Sequence, residues 1–396
     1  MKKILAVTGI RSEYDILYPI LKAFEKAGFE VCVAVANAHL SDAQGNTYKK
    51  IESDGFRIAD KIDCLLSTDR LTQRSKGVGL LIAGLTQTAE REKPDFLLVL
   101  GDREESIATC VVGNYMDILT IHCGGGDPVY GNADDPIRFA CSKLAHIHCT
   151  TAQEYAENLR SVGEDSWRIL WSGNTSYANI ATIAPLSRSE LAKALEFDIE
   201  HKEYFVLLKH PLSSEVDDAY TQMQIAIESC AHFAQEYGLK VVGIYPNTDP
   251  GSYQILQAIR EGEAAYPQVR FFKTLPREIF INLIRHSLAL AGNSSMGILE
   301  APFYKLPVVN IGNRQKGRLN AGNVEFVAHN QAQIESALHK ACFDLDYRAY
   351  VTSLPNPYGD ERACERIVEF VKNINTQERK WYVKTKLCPL PQGVPQ

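Results

Sequence analysis

The sequence predicts an α/β protein with two parallel-sheet domains. Three observations carry that prediction. Short apolar runs alternate with longer stretches of helical spacing. The alternation restarts after about residue 200. The 396 residues also exceed the roughly 250–300 at which a single core stops growing. Repeated strand–helix units of this kind place helices on both faces of a parallel sheet, so each half is Rossmann-like.

The elements follow in order. Residues 3–8 (KILAVT) read as a buried strand, and 14–27 as a helix that Gly28 ends. Residues 30–36 form the next strand and 76–91 a helix. Residues 95–100 (DFLLVL) make a buried strand that runs into Gly101-Asp102-Arg103. Short strands at 118–122 and 146–150 complete the first half. The second half starts with strand 204–209, helix 217–237 and strand 240–245. A helix then runs from Tyr253 to about Glu263, followed by strand 269–274 and a helix over 277–286. Strands at 287–291 and 306–311 and a final helix at 360–373 end the pattern. The segment from about 175 to 200 is the natural boundary. The expected domains are therefore 1–180 and 181–375, with a proline-containing tail, 376–396, ordered by docking elsewhere.

Composition narrows the function classes. Lys and Arg number 42 against 48 Asp and Glu, a net charge of −6. Without a dense basic block, no nucleic-acid or anionic-membrane partner is expected. The apolar run Ile4-Leu5-Ala6-Val7 is far too short for a leader or a membrane span, and no later stretch approaches the ~20 residues a span needs. The ten cysteines contain no CxxC pair, and several lie in apolar segments, as Cys32 does. They read as buried reduced thiols of a cytoplasmic protein rather than metal ligands.

In open parallel sheets, ligands meet the loops at the C-terminal ends of strands. With two such sheets, an interdomain cleft is the default site. The first loop, Thr8-Gly9-Ile10-Arg11-Ser12-Glu13-Tyr14, lacks GxGxxG, so a dinucleotide fingerprint is absent. It presents Arg11 beside a helix N-terminus, which suits a phosphate. A helix cap with a surface arginine is the plainer alternative. Asp102 points into the cleft or caps the next helix.

Next come His122-Cys123-Gly124-Gly125-Gly126-Asp127 and Asn132-Ala133-Asp134-Asp135-Pro136-Ile137-Arg138. Three glycines let a backbone approach a ligand closely. Clustered carboxylates can have their pKa values pushed apart into one acid and one base. A helix starting near Asp134 would carry Arg138 on the same face. The aspartate spacing is wrong for a calcium loop, and a helix-capping turn stays open as an alternative.

The second half offers Lys209-His210-Pro211, then a loop holding Asn247, then Gly292-Asn293-Ser294-Ser295-Met296-Gly297-Ile298-Leu299-Glu300. Hydroxyl residues at a helix start suit phosphate oxygens, and Glu300 one to two turns on suits a ribose. Asn310-Ile311-Gly312-Asn313-Arg314-Gln315-Lys316-Gly317-Arg318 follows a buried strand, as ligand-binding groups or as a solvated basic loop.

This ordered series resembles the UDP-N-acetylglucosamine 2-epimerases. It is most similar to their hydrolysing branch, which feeds sialic-acid and legionaminic-acid-type sugar synthesis. The likeness spans about residues 3–375 and is most specific over 292–323. It implies a GT-B-like fold with the active site between the domains. By the same resemblance, Arg11, Ser294, Ser295, Glu300 and Arg314 hold the nucleotide, together with Gly297. His122, His210 and Asn247 line the cleft. Asp102, Asp127, Asp134 and Asp135 form the acid–base set, oriented by Arg138.

The implied reaction removes the C2 proton of a 2-acetamido sugar as the diphosphate leaves C1. Water then adds to the glycal. No redox cofactor or metal is implied, and the implied assembly is a homodimer or dimer of dimers. Where the family usually carries His-x-x-Gly-Gly-Glu, this chain has Asp127 for the glutamate and Gly124 at a position often His or Glu. That makes the sugar pocket roomier and brings in a bulkier 2,4-diacetamido-trideoxy sugar on UDP or GDP. A non-hydrolysing epimerase, a GT-B glycosyltransferase and a nucleotide-sugar-binding module that has lost catalysis remain as alternatives.

Overall fold

A computed structural model describes residues 1–42, 45–66, 72–128, 134–246 and 250–384 of the chain. These fall into two compact units. The first contains 1–128, 134–179 and 358–384, and the second runs from Ile180 to Pro357.

The first unit holds a seven-stranded sheet. Its strands are β1 (Lys3–Thr8), β2 (Glu30–Ala36), β3 (Arg57–Ile62), β4 (Phe96–Leu100), β5 (Leu119–Cys123), β6 (Ile147–Thr150) and β7 (Ile169–Trp171). Their order is β3-β2-β1-β4-β5-β6-β7, parallel throughout. The second unit holds six: β8 (Tyr204–Leu208), β9 (Lys240–Ile244), β10 (Val269–Phe272), β11 (Leu290–Gly292), β12 (Val308–Ile311) and β13 (Val324–Val327). Their order is β10-β9-β8-β11-β12-β13, again parallel.

The unbroken apolar runs have a simple cause. Side chains alternate faces along a strand, and here both faces are covered. On β1, Ile4 and Ala6 enter one core while Leu5 and Val7 enter the opposite one. On β8, Phe205 and Leu207 face one core and Tyr204, Val206 and Leu208 the other. All of the described cysteines are free and buried. Among the described residues, no helix is long and apolar enough to cross a membrane.

Several boundaries differ from the sequence reading. The first helix spans Arg11–Lys26 and so starts three residues earlier than its apolar spacing indicates, because its first turn is polar. The helix expected at 76–91 spans Thr72–Glu92. Strand β3 (RIADKI) escaped notice because it is a polar, half-buried edge. The final helix, Ala363–Lys372, belongs with the first unit rather than the second. Its Cys364, Ile367, Val368 and Val371 join the core of Ile4 and Phe96. Amphipathic spacing reveals that a helix has a face to bury, but not which sheet receives it.

The expected docking of the tail is seen as far as residue 384. Buried Arg168 donates to the carbonyls of Lys380, Trp381 and Val383. Lys384 Nζ donates to buried Glu164 at 2.7 Å.

Candidate active site

In each sheet the chain reverses its direction of growth between the first strand and the one beside it. That switch lies between β1 and β4 in the first unit and between β8 and β11 in the second. Crossover helices diverge at such a point, so the strand ends there are uncovered. Each unit gathers most of the singled-out residues on those ends.

In the first unit, Arg11 opens the helix after β1, and its Nε lies 3.5 Å from Asp15 Oδ2. Asp102 follows β4 and is ion-paired with the Arg138 guanidinium. Arg138 also donates from Nη1 to the Gly124 carbonyl at 2.8 Å. One buried arginine thus ties the loop after β4 to the loop after β5. The helix that presents it, Asp134–Leu144, begins where the sequence indicates. The i,i+4 partnership expected with Asp134 falls outside the described side chains. Asp135 is half-buried in the first turn of that helix.

Asp127 is buried at the end of the glycine loop. The Asn158 amide holds this loop by donating to the Gly126 carbonyl at 2.9 Å. The glycines serve a different purpose from the one expected. A side chain at Gly126 would overlap the Tyr155 carbonyl, and its φ is +78°. A Cβ at Gly125 would lie 2.9 Å from Ser142 Oγ. These two glycines press the loop onto the protein. At Gly124 a Cβ would meet Gly101 in ordinary contact at 3.8 Å, and φ is +79°.

His122 also requires a correction. Its ring is fully buried; Nε2 lies 2.7 Å from the Gly101 carbonyl, and Nδ1 3.3 Å from Ser142 Oγ. Burial lowers its pKa to about 3, so the ring is neutral. It braces the Asp102 loop instead of meeting a ligand.

In the second unit, Asn293 organises the site. Its Oδ1 accepts from the His210 backbone N–H at 2.7 Å, and its Nδ2 donates to the His210 carbonyl at 2.9 Å. Its own carbonyl accepts from Arg314 Nη1 at 3.2 Å and Gln315 Nε2 at 3.0 Å. The ends of β8, β11 and β12 are joined through this one residue. Gly292 permits the join, since a side chain there would overlap the Leu208 carbonyl and φ is +123°.

Ser294 and Ser295 are half-buried at the start of a single turn, Met296–Leu299. Ser294 Oγ accepts from the Met296 N–H at 3.3 Å. So short a helix has little dipole, leaving local N–H and hydroxyl groups to meet an anion. At Gly297 a Cβ would lie 2.8 Å from Val308 Cγ1. It packs the turn onto the sheet. Glu300 is half-buried at the end of the turn. Asn247 lies outside the described residues.

Two of the residues quoted in motifs without a role stand out. One is Asn293, which an amide at a strand end just before two serines could have flagged. The other is Lys209, which is wholly buried, with Nζ 3.3 Å from Gln222 Oε1. Burial pulls its pKa down to about 8; Glu215 opposes that fall and Arg314 adds to it. Among the described residues, no group of three or more metal-ligating side chains is gathered.

The comparisons with known proteins fit this geometry. The family described as UDP-N-acetylglucosamine 2-epimerase matches residues 22–372. The UDP-N,N'-diacetylbacillosamine 2-epimerase (hydrolyzing) of Legionella pneumophila is 31% identical over 375 residues, covering 94% of this chain and 96% of its own. The GDP/UDP-N,N'-diacetylbacillosamine 2-epimerase (hydrolyzing) of Campylobacter jejuni is 30% identical over 325 residues, covering 82% and 83%. The crystal structure of UDP-GlcNAc 2-epimerase from Neisseria meningitidis bound to UDP-GlcNAc superposes with a TM-score of 0.70 at 19% identity, covering 94% of this chain and all of that one. At that identity the likeness concerns the fold alone, which is GT-B-like.

Proposed function

The chain belongs to the UDP-N-acetylglucosamine 2-epimerase family, and from that premise we propose a hydrolysing 2-epimerase acting on a nucleotide-linked 2-acetamido sugar. The observation that carries the reading is the Asp102–Arg138–Gly124 tie, which fixes the carboxylate-bearing loop after β4, at the switch point, to the one after β5 beside it. The hydrolysing relatives favour a 2,4-diacetamido-trideoxy sugar on UDP or GDP, and UDP-GlcNAc is the smaller candidate. The missing side chain at Gly124 and the short one of Asp127 support the bulkier sugar.

In this reading Arg11, Ser294, Ser295, Glu300, Arg314 and Asn247 hold the nucleotide diphosphate and ribose, with His210 beside them. Asp102 and Asp127, with Asp134 and Asp135, transfer the protons. One carboxylate takes the C2 proton, the C1–O bond breaks with its electron pair leaving on the diphosphate, and C1=C2 forms. Arginines and amides stabilise the departing charge. Water then adds its oxygen at C1 and gives up one proton to a carboxylate, and a carboxylic acid returns a proton to C2 from the opposite face. The products are a free 2-epimer and nucleotide diphosphate. A homodimer or dimer of dimers in the cytoplasm completes the proposal.

The test offers UDP-GlcNAc, UDP-diacetylbacillosamine and GDP-diacetylbacillosamine without any acceptor. Release of nucleotide diphosphate from at least one is expected, with a diacetamido donor preferred. A nucleotide-linked epimer with no diphosphate released would make the enzyme non-hydrolysing. No turnover of any donor would sink the epimerase reading.

A further inference from the structure

Beneath the Asp102 loop lies a second pair of carboxylates that the reaction does not use. Glu13 and Glu105 are 5% and 1% exposed. They flank Gly9 at the end of β1. Glu13 Oε2 accepts from the Gly9 N–H and from Thr8 Oγ1, both at 2.9 Å. The Glu105 carboxylate lies against the other side of Gly9, where a Cβ would overlap it. Its Oε1 accepts from Asn37 Nδ2. Glu13 Oε1 and Glu105 Oε2 are buried with no hydrogen-bond partner among the described residues.

A buried carboxylate oxygen without a donor is costly when ionised and inexpensive when it carries the proton itself. The surrounding charges call for that proton. Glu104 is ion-paired with Arg74, and Arg103 lies 3.9 Å from both Glu104 and Glu105. Three carboxylates therefore face two guanidinium groups. His39 packs on Thr8 through Nε2 at 3.2 Å, and burial lowers its pKa to about 4, so it supplies no charge. Cys64 donates to Asn37 Oδ1, and burial raises its pKa to about 11, leaving it a neutral thiol. Asp63, on the same segment, adds only negative charge.

We infer that Glu13 and Glu105 hold one proton between them and act as positioning residues, locking the Arg11 loop to the Asp102 loop. With the proton present, the pair carries one charge opposite Arg103, and both loops close on Gly9. When the proton is lost, two buried carboxylates repel across Gly9 and the loops part. In support, burial and the neighbouring Glu105 raise the Glu13 pKa to about 8, and burial raises that of Glu105. The kinetic consequence rests on the epimerase reading; the proton itself does not.

Two measurements test this. The first needs no substrate. Because the folded pair keeps a proton that the unfolded chain has lost, wild-type stability falls as pH rises from about 4.5 to about 8. Glu13→Gln builds in the neutral state and offers a donor toward the orphaned oxygen, so it flattens this slope by about one proton. Glu105→Gln neutralises the pair from the other side and serves if the first variant does not fold. Slopes equal to wild type in the variants would overturn the shared proton, whatever the activity.

The second is the pH profile of turnover. The alkaline decline falls in kcat, and Glu13→Gln moves it to higher pH while KM keeps its own profile. A flattened stability slope with an unmoved kcat limb would overturn the positioning role.

Discussion

The two strand-end edges obey the same topological rule and carry opposite chemistry. At the edge of the first unit, carboxylates dominate: Glu13, Asp102, Glu105 and Asp127 against Arg11, Arg103 and Arg138. At the edge of the second, Lys209, Arg314 and Arg318 outnumber the carboxylates Glu215 and Glu300 and stand with the neutral Asn293, Ser294, Ser295 and Gln315. The difference teaches what a Rossmann-like sheet does and does not determine. Topology decides where uncovered loops gather, and the side chains decide whether that place moves protons or holds an anion. The net charge of −6 hides this division.

The comparison breaks most sharply at Asp102. Asp102→Asn keeps the shape and removes one carboxylate of the proposed acid–base set, so turnover falls about 10²–10⁴-fold while UDP binding by calorimetry is retained. Near-normal turnover would remove Asp102 from the acid–base set. Arg314→Ala is the opposite lesion. It removes a charge-assisted donor, worth about 1.5–3 kcal/mol, and appears as weaker UDP binding with kcat at saturation far less affected. A loss confined to kcat would erase the proposed division between the units.

Lys209 gives a smaller, pH-dependent effect. Its folded pKa is near 8, so its charge disappears as pH rises through that value. KM for the donor climbs over the same range, by about tenfold at most, as this buried ammonium loses its charge. Lys209→Met flattens that climb. The smallest change is Ser294→Ala, which costs about 0.5–1.5 kcal/mol of nucleotide affinity as one neutral hydrogen bond. Titration of UDP into the variant checks it.

How legible the molecule is in its sequence depends on burial. Strands β1, β4 and β8 are plain because both faces are covered, so almost every residue is apolar. The edge strand β3 and the three-residue β7 lack that signal. The site was legible as a set of loops, since strand ends with Gly, Asp, Asn and Ser stand out against apolar runs. Its internal wiring was not. Nothing local pairs Asp102 with Arg138, 36 residues away, or turns His122 inward to brace a carbonyl. The glycines of 125–126 show the same limit. A glycine run marks close approach, but the approaching atoms belong to Ser142 and Tyr155. Glu13 sits in a motif whose arginine draws attention first, Glu105 lies just past the Gly101-Asp102-Arg103 motif, and their proximity arises only when β1 and β4 pair.

The central claim is elimination and rehydration at the sugar, with proton transfer from the first unit's carboxylates. The most direct measurement runs the reaction in deuterated water with a donor that is turned over, and follows sugar and nucleotide by NMR. The account predicts a free sugar, inverted at C2, carrying deuterium at C2, with one nucleotide diphosphate released per sugar. Released sugar that retains its original C2 proton and configuration would contradict it, because the bond to C1 would then have broken by simple hydrolysis without any proton transfer at C2.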